Sequence, residues 1–149
     1  MIDIIILIAC TLCGFALGKY LERRVKRKGE FYSDLNRYTA LLKVNIEGRQ
    51  VELSTFNSEF ASNCSLTFRE YLQNRKLKCS LSSVQKNDVK NFFDNLDCAS
   101  SQELTKHIDY YSTLFAAEGK QVSEKEVAKS SIYVKLVILL GVMVGIVLM

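Results

Sequence analysis

The sequence contains no proline and only seven glycines in 149 residues. Proline interrupts an α-helix and glycine weakens one, so the commonest helix breakers are scarce throughout the chain. The composition therefore permits long, uninterrupted helices. We predict an all-α fold, either a helical bundle or a long helical hairpin, between two terminal transmembrane helices.

Cysteine and histidine are also sparse, with five cysteines and one histidine. An odd number of cysteines cannot all pair, and Cys10 and Cys13 lie in an apolar N-terminal run, so we expect no disulfide framework. Cys10-x-x-Cys13 has the spacing of a redox pair, but no βαβ pattern surrounds it, and we interpret both as small core hydrophobes. One histidine without a second cysteine pair also argues against a zinc site.

The residue patterns typical of catalysis are missing as well. The sequence has no glycine-rich phosphate loop and no nucleophile beside a recognisable base. His107 could act as a general base, but Asp109 is two positions away on a predicted helix and points elsewhere. We interpret His107 as a helix-surface or hydrogen-bonded core residue. The prediction is a protein that is not an enzyme and holds no metal or cofactor.

Charge is nearly absent from the two ends of the chain. Residues 1–18 contain one charged residue, Asp3, and residues 136–149 contain none. A helix needs about 20 apolar residues to span the hydrocarbon core of a membrane. We therefore predict transmembrane helices over 1–20 and 132–149. A cleaved signal peptide is the rival interpretation of the first run, but a signal carries its positive charges before the apolar stretch, and here they follow it.

A basic stretch follows the first apolar run and predicts the orientation of the chain. Positive residues near the ends of spans remain on the cytoplasmic side. Those after the first run are Lys19, Arg23, Arg24, Lys26, Arg27 and Lys28. Those that precede or open the second run are Lys125, Lys129 and Lys135, the last at the membrane edge, where its ammonium can reach water. The prediction is a cytoplasmic helical domain over 21–131, with both termini on the far side of the membrane.

The same basic stretch could contact acidic lipid or a protein partner. Each Lys or Arg near an acidic membrane surface contributes about 1 kcal/mol. Nucleic-acid binding needs stacking aromatics or base-reading polar residues beside the charges, and only Tyr20 lies there. In the leading interpretation we therefore expect no nucleic-acid partner. The alternative function is that of a membrane-tethered adaptor or regulator whose basic stretch binds acidic lipid or nucleic acid.

Each apolar run also carries two glycines one helical turn apart, a spacing that lets another helix approach closely. These are Gly14 and Gly18 in the first run, and Gly141 and Gly145 in the second. Pairing of the two runs with each other and self-association of the protein would explain the spacing equally well.

Between the two runs, apolar residues recur at helical spacing. We expect the first helix to end near Glu47, with Gly48 as its cap. Its apolar face consists of Phe31, Leu35, Tyr38, Leu42 and Ile46. Two shorter helices should follow, one that begins near Val51 and one over 66–76. Their apolar faces consist of Leu53, Phe56 and Phe60, and of Phe68, Tyr71 and Leu72. We interpret these aromatic stripes as core residues.

Two capping boxes predict the starts of the remaining helices. Ser82 and Gln85 form the first, before a helix that should run to about Leu96. Ser100 and Glu103 form the second. The apolar face of the first of these helices consists of Val89, Phe92 or Phe93, and Leu96. The apolar face of the second consists of Leu104, Ile108, Tyr111 and Phe115. The last helix can continue into the second apolar run through Gly119, a residue that weakens the helix and is a candidate position for a bend.

Several scattered residues occur in an order that matches a known family. They are Tyr20-Leu21-Glu22-Arg23-Arg24, Leu41-Leu42, Ile46-Glu47-Gly48, Ser80-Leu81, Leu96, Lys106-His107-Ile108 and Leu140-Gly141. Together with the two apolar runs, they resemble the stage III sporulation protein AB family over nearly the whole chain. Residues 60–79 match only in helical character, and the chain departs from the family pattern at Asp97, Ser100 and Leu104.

The resemblance implies a structural role. Proteins of this family belong to the multiprotein channel that joins mother cell and forespore in endospore-forming bacteria, and they are similar to the F-type platform proteins of type II secretion systems. It implies a protein of the mother-cell membrane facing the forespore, with its helical domain in the cytoplasm. The implied partners are the stage III sporulation protein AA ATPase and other stage III sporulation proteins.

Overall fold

The computed structural model describes residues 2–49, 51–96 and 101–147, and these ranges contain helices and connecting turns but no strand. The chain is therefore all-helical, as its composition predicts. The helices form two units, one made of residues 27–121 and one made of the residues up to 26 together with those from 122 onward. The topological boundaries predicted near residues 20 and 132 stay predictions.

The described residues form six α-helices. They are α1 (Ile2–Val44), α2 (Leu53–Ser62), α3 (Leu66–Asn74), α4 (Ser83–Asp94), α5 (Ser101–Gln121) and α6 (Val127–Val147). π-Helical turns at Asn45–Arg49 and Val122–Glu126 follow α1 and α5. α1 is unbroken over its whole length, as expected where no proline interrupts the backbone hydrogen bonds.

The core of residues 27–121 is built on the second half of α1. The predicted apolar face lies inside: Phe31, Leu35 and Tyr38 are fully buried. The Tyr38 ring packs against Phe60 at 5.2 Å and Phe93 at 5.3 Å between centroids, in edge-on and tilted geometries that aromatic rings favour. Rings from α2 and α4 therefore meet on one face of α1. The aromatic stripes are core, as the periodicity predicts.

α5 packs against α1 in the opposite direction. The Tyr32 hydroxyl donates a hydrogen bond of 2.6 Å to Glu118 Oε2, and Lys43 Nζ lies 2.7 Å from Asp109 Oδ1. From the first contact to the second, the residue number rises along α1 and falls along α5, so the two helices run antiparallel. Residues 27–121 thus contain a helical hairpin, with α2, α3 and α4 inserted between its two arms in sequence.

Gly119 lies at the crossing of these two helices. A Cβ atom there would lie 3.1 Å from Asn36 Nδ2 and 3.4 Å from Tyr32 Cβ, closer than most real Cβ contacts. The glycine therefore permits the close approach, and α5 remains helical through it to Gln121. The departure from α-helical hydrogen bonding begins after this glycine, at Val122.

The end of α1 also differs from expectation. Gly48 lies within the π-helical turn Asn45–Arg49, and the described residues include no glycine with positive φ, so Gly48 is not a left-handed cap. The Asn45 side chain secures the turn instead. Its Nδ2 donates to the Val51 carbonyl at 2.9 Å, and its Oδ1 accepts from the Val51 amide at 3.3 Å. The amide side chain thus satisfies both backbone groups of Val51, which lies between the turn and α2.

The first predicted capping box is confirmed. Ser82 Oγ accepts from the Gln85 amide at 3.2 Å, and Gln85 Oε1 accepts from the Ser82 amide at 3.1 Å. α4 ends at Asp94, two residues before the predicted end, although Leu96 is still buried. The second box cannot be compared, because Ser100 lies outside the described residues, as does Asp97.

α3 is also shorter than predicted, because it ends at Asn74 and not at Lys76. Arg75 adopts φ 55°, a left-handed conformation that terminates the helix. Its guanidinium lies 4.6 Å from the centre of the Phe93 ring, within cation–π distance. Residues other than glycine rarely adopt a positive φ, and this contact helps to keep Arg75 in that conformation.

Within the described residues, no helix has both the length and the apolar composition needed to cross a membrane. The predicted spans also include Met1 and residues 148–149, which lie outside the described ranges.

Candidate functional site

In the unit formed by the residues up to 26 and from 122 onward, α1 and α6 approach closely at Gly18. A Cβ atom on Gly18 would lie 3.0 Å from Val134 Cγ1, so any larger residue would push Val134 away. Gly14, one turn earlier, is also buried. Gly141 and Gly145 lie on α6, and their packing is outside what the structure describes. Gly18 is therefore a point of helix pairing within the chain.

The outer faces of these two helix segments are apolar. Leu12 and Leu17 of α1 are 63% and 58% exposed, and Leu140 of α6 is 60% exposed. The other large apolar side chains that are exposed here are Ile8, Phe15, Ile132, Leu136, Leu139, Met143, Val144 and Ile146. Contiguous apolar surface of this kind marks contact with a membrane or another protein.

Two exposed tyrosines lie beside the Gly18–Val134 contact. Tyr20 is 64% exposed and Tyr133 is 58% exposed. Lys19 and Lys135, each one or two positions away, are exposed as well. Tyr and Lys next to apolar helix surface are typical of the boundary between lipid and water.

The structure divides the basic stretch in two. The exposed members are Lys19, Arg23, Arg24, Lys26 and Arg27. Lys28, in contrast, is buried, with 8% of its surface exposed. Its positive charge partly offsets the rise that burial causes in the pKa of the Cys79 thiol. Sequence reasoning treated all six alike. The signal it passed over is that Lys28 lies three and four positions before Phe31 and Tyr32, and therefore on the core face of α1.

His107 joins α5 to the end of α4. Its Nε2 lies 3.2 Å from the Phe92 carbonyl oxygen, and its ring stacks on the Phe92 ring at 5.7 Å with an interplanar angle of 4°. Phe92 is in the last turn of α4, where carbonyl groups have no donor within the helix. Asp109 contacts Lys43. His107 is thus a hydrogen-bonded residue of the helical domain, one of the two interpretations that the sequence leaves open.

The described thiols form no disulfide: Cys13 is exposed and so is not the core residue that we expected, whereas Cys64 and Cys79 are shielded. Burial raises the pKa of Cys79 to about 11 and also raises the pKa of Cys64. Both thiols are protonated at neutral pH and therefore poor nucleophiles. Across the described ranges, no cluster of His, Cys, Asp and Glu has the arrangement of a metal site.

A groove of about 280 Å³ lies between the end of α1 and α2. Leu41, Val44, Val51 and Phe56 line it, with Arg37 and Glu59 also on its wall. Arg37 Nη1 already donates to the Asn63 carbonyl at 3.2 Å. Asn45 and Asn63 also line the groove, and the Asn45 side chain, like that of Arg37, already bonds a backbone carbonyl of this unit.

The family model for stage III sporulation protein AB matches residues 52–149, from the residue before α2 through α6. No curated protein and no solved structure matches the chain. The matched segment takes in α2 to α5, the His107 contact and the apolar surface of α6 but not α1, and it covers more than half of the sequence. The protein therefore belongs to the stage III sporulation protein AB family.

Proposed function

We propose that the protein is a membrane-anchored, non-enzymatic assembly component of the channel between mother cell and forespore. Family membership supports a role in sporulation. The finer role comes from what the family resemblance implies, a secretion-like complex in the mother-cell membrane. The observation that carries the anchoring is the outward-facing apolar surface of α1 and α6.

The apolar surface supports anchoring because its exposure to water is costly. Each Å² of apolar surface left in water costs about 25 cal/mol relative to an apolar environment. Leu12, Leu17 and Leu140 are each more than half exposed. A lipid bilayer covers such side chains without a specific partner for each one. By the positive-inside rule, the exposed basic residues after position 18 support a cytoplasmic location for residues 27–121.

The helical unit suits an assembly role better than a catalytic one. His107, the only histidine, has its Nε2 at the Phe92 carbonyl, which leaves that nitrogen unavailable to act as a base on a substrate. The buried Cys79 thiol is held protonated. Residues 27–121 would therefore act through their surface. The partners we propose are the stage III sporulation protein AA ATPase and other membrane proteins of the same machine, with self-association as a further route to assembly.

Deletion of the gene in the source organism tests this function. We expect sporulation to stop after engulfment, and we expect the full-length gene to restore it. A gene truncated after residue 131, which lacks the predicted second span, should not restore sporulation although its product accumulates. Normal spore formation in the deletion strain would overturn the proposal. Crosslinking in sporulating cells, followed by purification of the full-length protein, should recover the ATPase.

A further inference from the structure

We propose that Lys19, Arg23 and Lys26 of α1 and Lys135 of α6 form one binding site for the headgroups of anionic phospholipids. This inference rests on the membrane anchoring proposed above. It goes further because it names the residues that would bind anionic phospholipid. It also builds the site from residues of two helices, α1 and α6, instead of from the basic stretch alone.

The Gly18–Val134 contact brings the two helices into register. Glycine at this position lets α6 come within 3.0 Å of the place where a Cβ would lie. The chain leaves this unit after Lys26 and re-enters it at Val122, and the proposed site requires that the two segments pack antiparallel. In an antiparallel pair of right-handed helices, the residues that directly follow a facing pair turn toward the same side. Lys19 follows Gly18 and Lys135 follows Val134, so both ammonium groups lie on one side of the contact.

Arg23 and Lys26 extend this side along α1. They lie four and seven positions after Lys19, which puts all three on one helical face. Each of these residues and Lys135 is exposed. By the same helical geometry, Arg24 falls on the other side of α1, and Lys28 is buried in the neighbouring unit. The site therefore takes only part of the basic stretch.

One carboxylate lies among these cations. Lys19 Nζ is 3.5 Å from Glu22 Oε2, and the two side chains are 54% and 58% exposed. An exposed ion pair of this length is weak, because water screens it. With Glu22 set against one of the four cations, the cluster itself still carries a net positive charge. The guanidinium of Arg23 can bind a phosphate through two parallel hydrogen bonds, and the lysines add point charges.

The surroundings of the cluster favour a lipid over a soluble phosphate or a nucleic acid. Apolar side chains on the same helix faces are exposed, among them Phe15, four positions before Lys19, and Leu139, four positions after Lys135. Acyl chains can cover that surface while the phosphate meets the cations. The exposed Tyr20 and Tyr133 lie at the same level, where amphipathic rings sit at the headgroups.

The test uses the purified full-length protein and native mass spectrometry. The protein is first reconstituted into vesicles of phosphatidylcholine to test insertion. It is then extracted in a mild detergent and incubated with an equimolar mixture of phosphatidylcholine and phosphatidylglycerol, and the lipids that it retains are identified. Wild type should retain phosphatidylglycerol preferentially. The variant K19Q/R23Q/K26Q/K135Q should lose that preference by about tenfold or more. A control that removes the same charge elsewhere, K76Q/K86Q/K90Q/K106Q, should keep it, because these exposed lysines lie in residues 27–121.

The single variant K135Q decides whether α6 takes part. We expect it to lower the preference severalfold, whereas K90Q should not change it. An unchanged K135Q protein would overturn the two-helix site. Equal retention by the quadruple variant and its control, or displacement of the lipid by inorganic phosphate at equal concentration, would overturn the ligand assignment. Wild type that inserts into phosphatidylcholine without preferring phosphatidylglycerol would overturn this inference alone, and failure to insert would instead overturn the proposed anchoring.

Discussion

The two units of this chain treat the same residue type in opposite ways. Leu35 in residues 27–121 is fully buried, whereas Leu12 in the unit of the terminal segments is 63% exposed, and both belong to α1. The first half of α1 therefore leaves large apolar side chains that the chain itself does not cover. The second half obtains one from the rings of α2, α3 and α4. Amphipathic periodicity predicts the second arrangement, and the near absence of charge predicts the first.

The largest effect should come from shortening these two leucines. Leu35→Ala should lower the free energy of unfolding by about 2–5 kcal/mol, because it leaves a cavity in a packed core. Leu12→Ala should change it by less than about 0.5 kcal/mol, because the side chain contributes little to packing within the chain. Denaturant unfolding of the full-length protein, followed by circular dichroism, measures both. Similar losses in the two variants would remove the contrast between the units.

Alkaline pH should weaken residues 27–121 through Tyr32. Burial first, and then the hydrogen bond to Glu118, raise the pKa of this phenol above its ordinary value of 10.0. The unfolded chain ionises there first, so stability is fully present below pH 10 and falls above it by about 1.4 kcal/mol per pH unit from this group. Tyr32→Phe should lack that part of the decline. Unfolding between pH 9 and 11 checks this, and parallel pH profiles for both proteins would contradict it.

His107 should contribute stability and no catalysis. His107→Phe retains a ring to stack on Phe92 but loses the contact with its carbonyl oxygen, at a cost of about 1 kcal/mol. Spore formation should survive where the variant still folds. Complete loss of sporulation with unchanged thermal stability would favour an enzymatic role and count against the assembly function.

The smallest effects should come from two glycines within helices. Gly29 has open space around an added Cβ, so Gly29→Ala should raise the free energy of unfolding by about 0.5–1 kcal/mol. Gly119→Ala gains the same helix propensity but forces a methyl group against Asn36 and Tyr32. Its stability should therefore fall below that of Gly29→Ala. Equal gains from both would mean that α1 and α5 do not cross closely at Gly119.

Sequence reasoning predicted the features that depend on residues near in sequence. The face of Phe31, Leu35 and Tyr38 and the capping box at Ser82 follow from spacing within one helix, and both appear as expected. The contact between His107 and the Phe92 carbonyl joins two helices, so no local pattern could predict it.

The misjudged positions have the same origin. Lys28 is buried because the face of α1 on which it lies packs inside, a fact that a count of charges does not contain. Arg75 ends α3 in a left-handed conformation that the Phe93 ring, eighteen positions later, helps to hold. In both cases packing in the folded chain decided the outcome, although the spacing of Lys28 to Phe31 and Tyr32 already indicated the first.

Trypsin treatment of intact spheroplasts tests the central claim most directly. Arg75, Lys76 and Lys78 are exposed between α3 and α4 and offer cleavage sites in the helical unit. With residues 27–121 in the cytoplasm, the full-length protein should survive in intact spheroplasts and should be cut between α3 and α4 once the spheroplasts are lysed. Cleavage at that loop in intact spheroplasts would contradict the account.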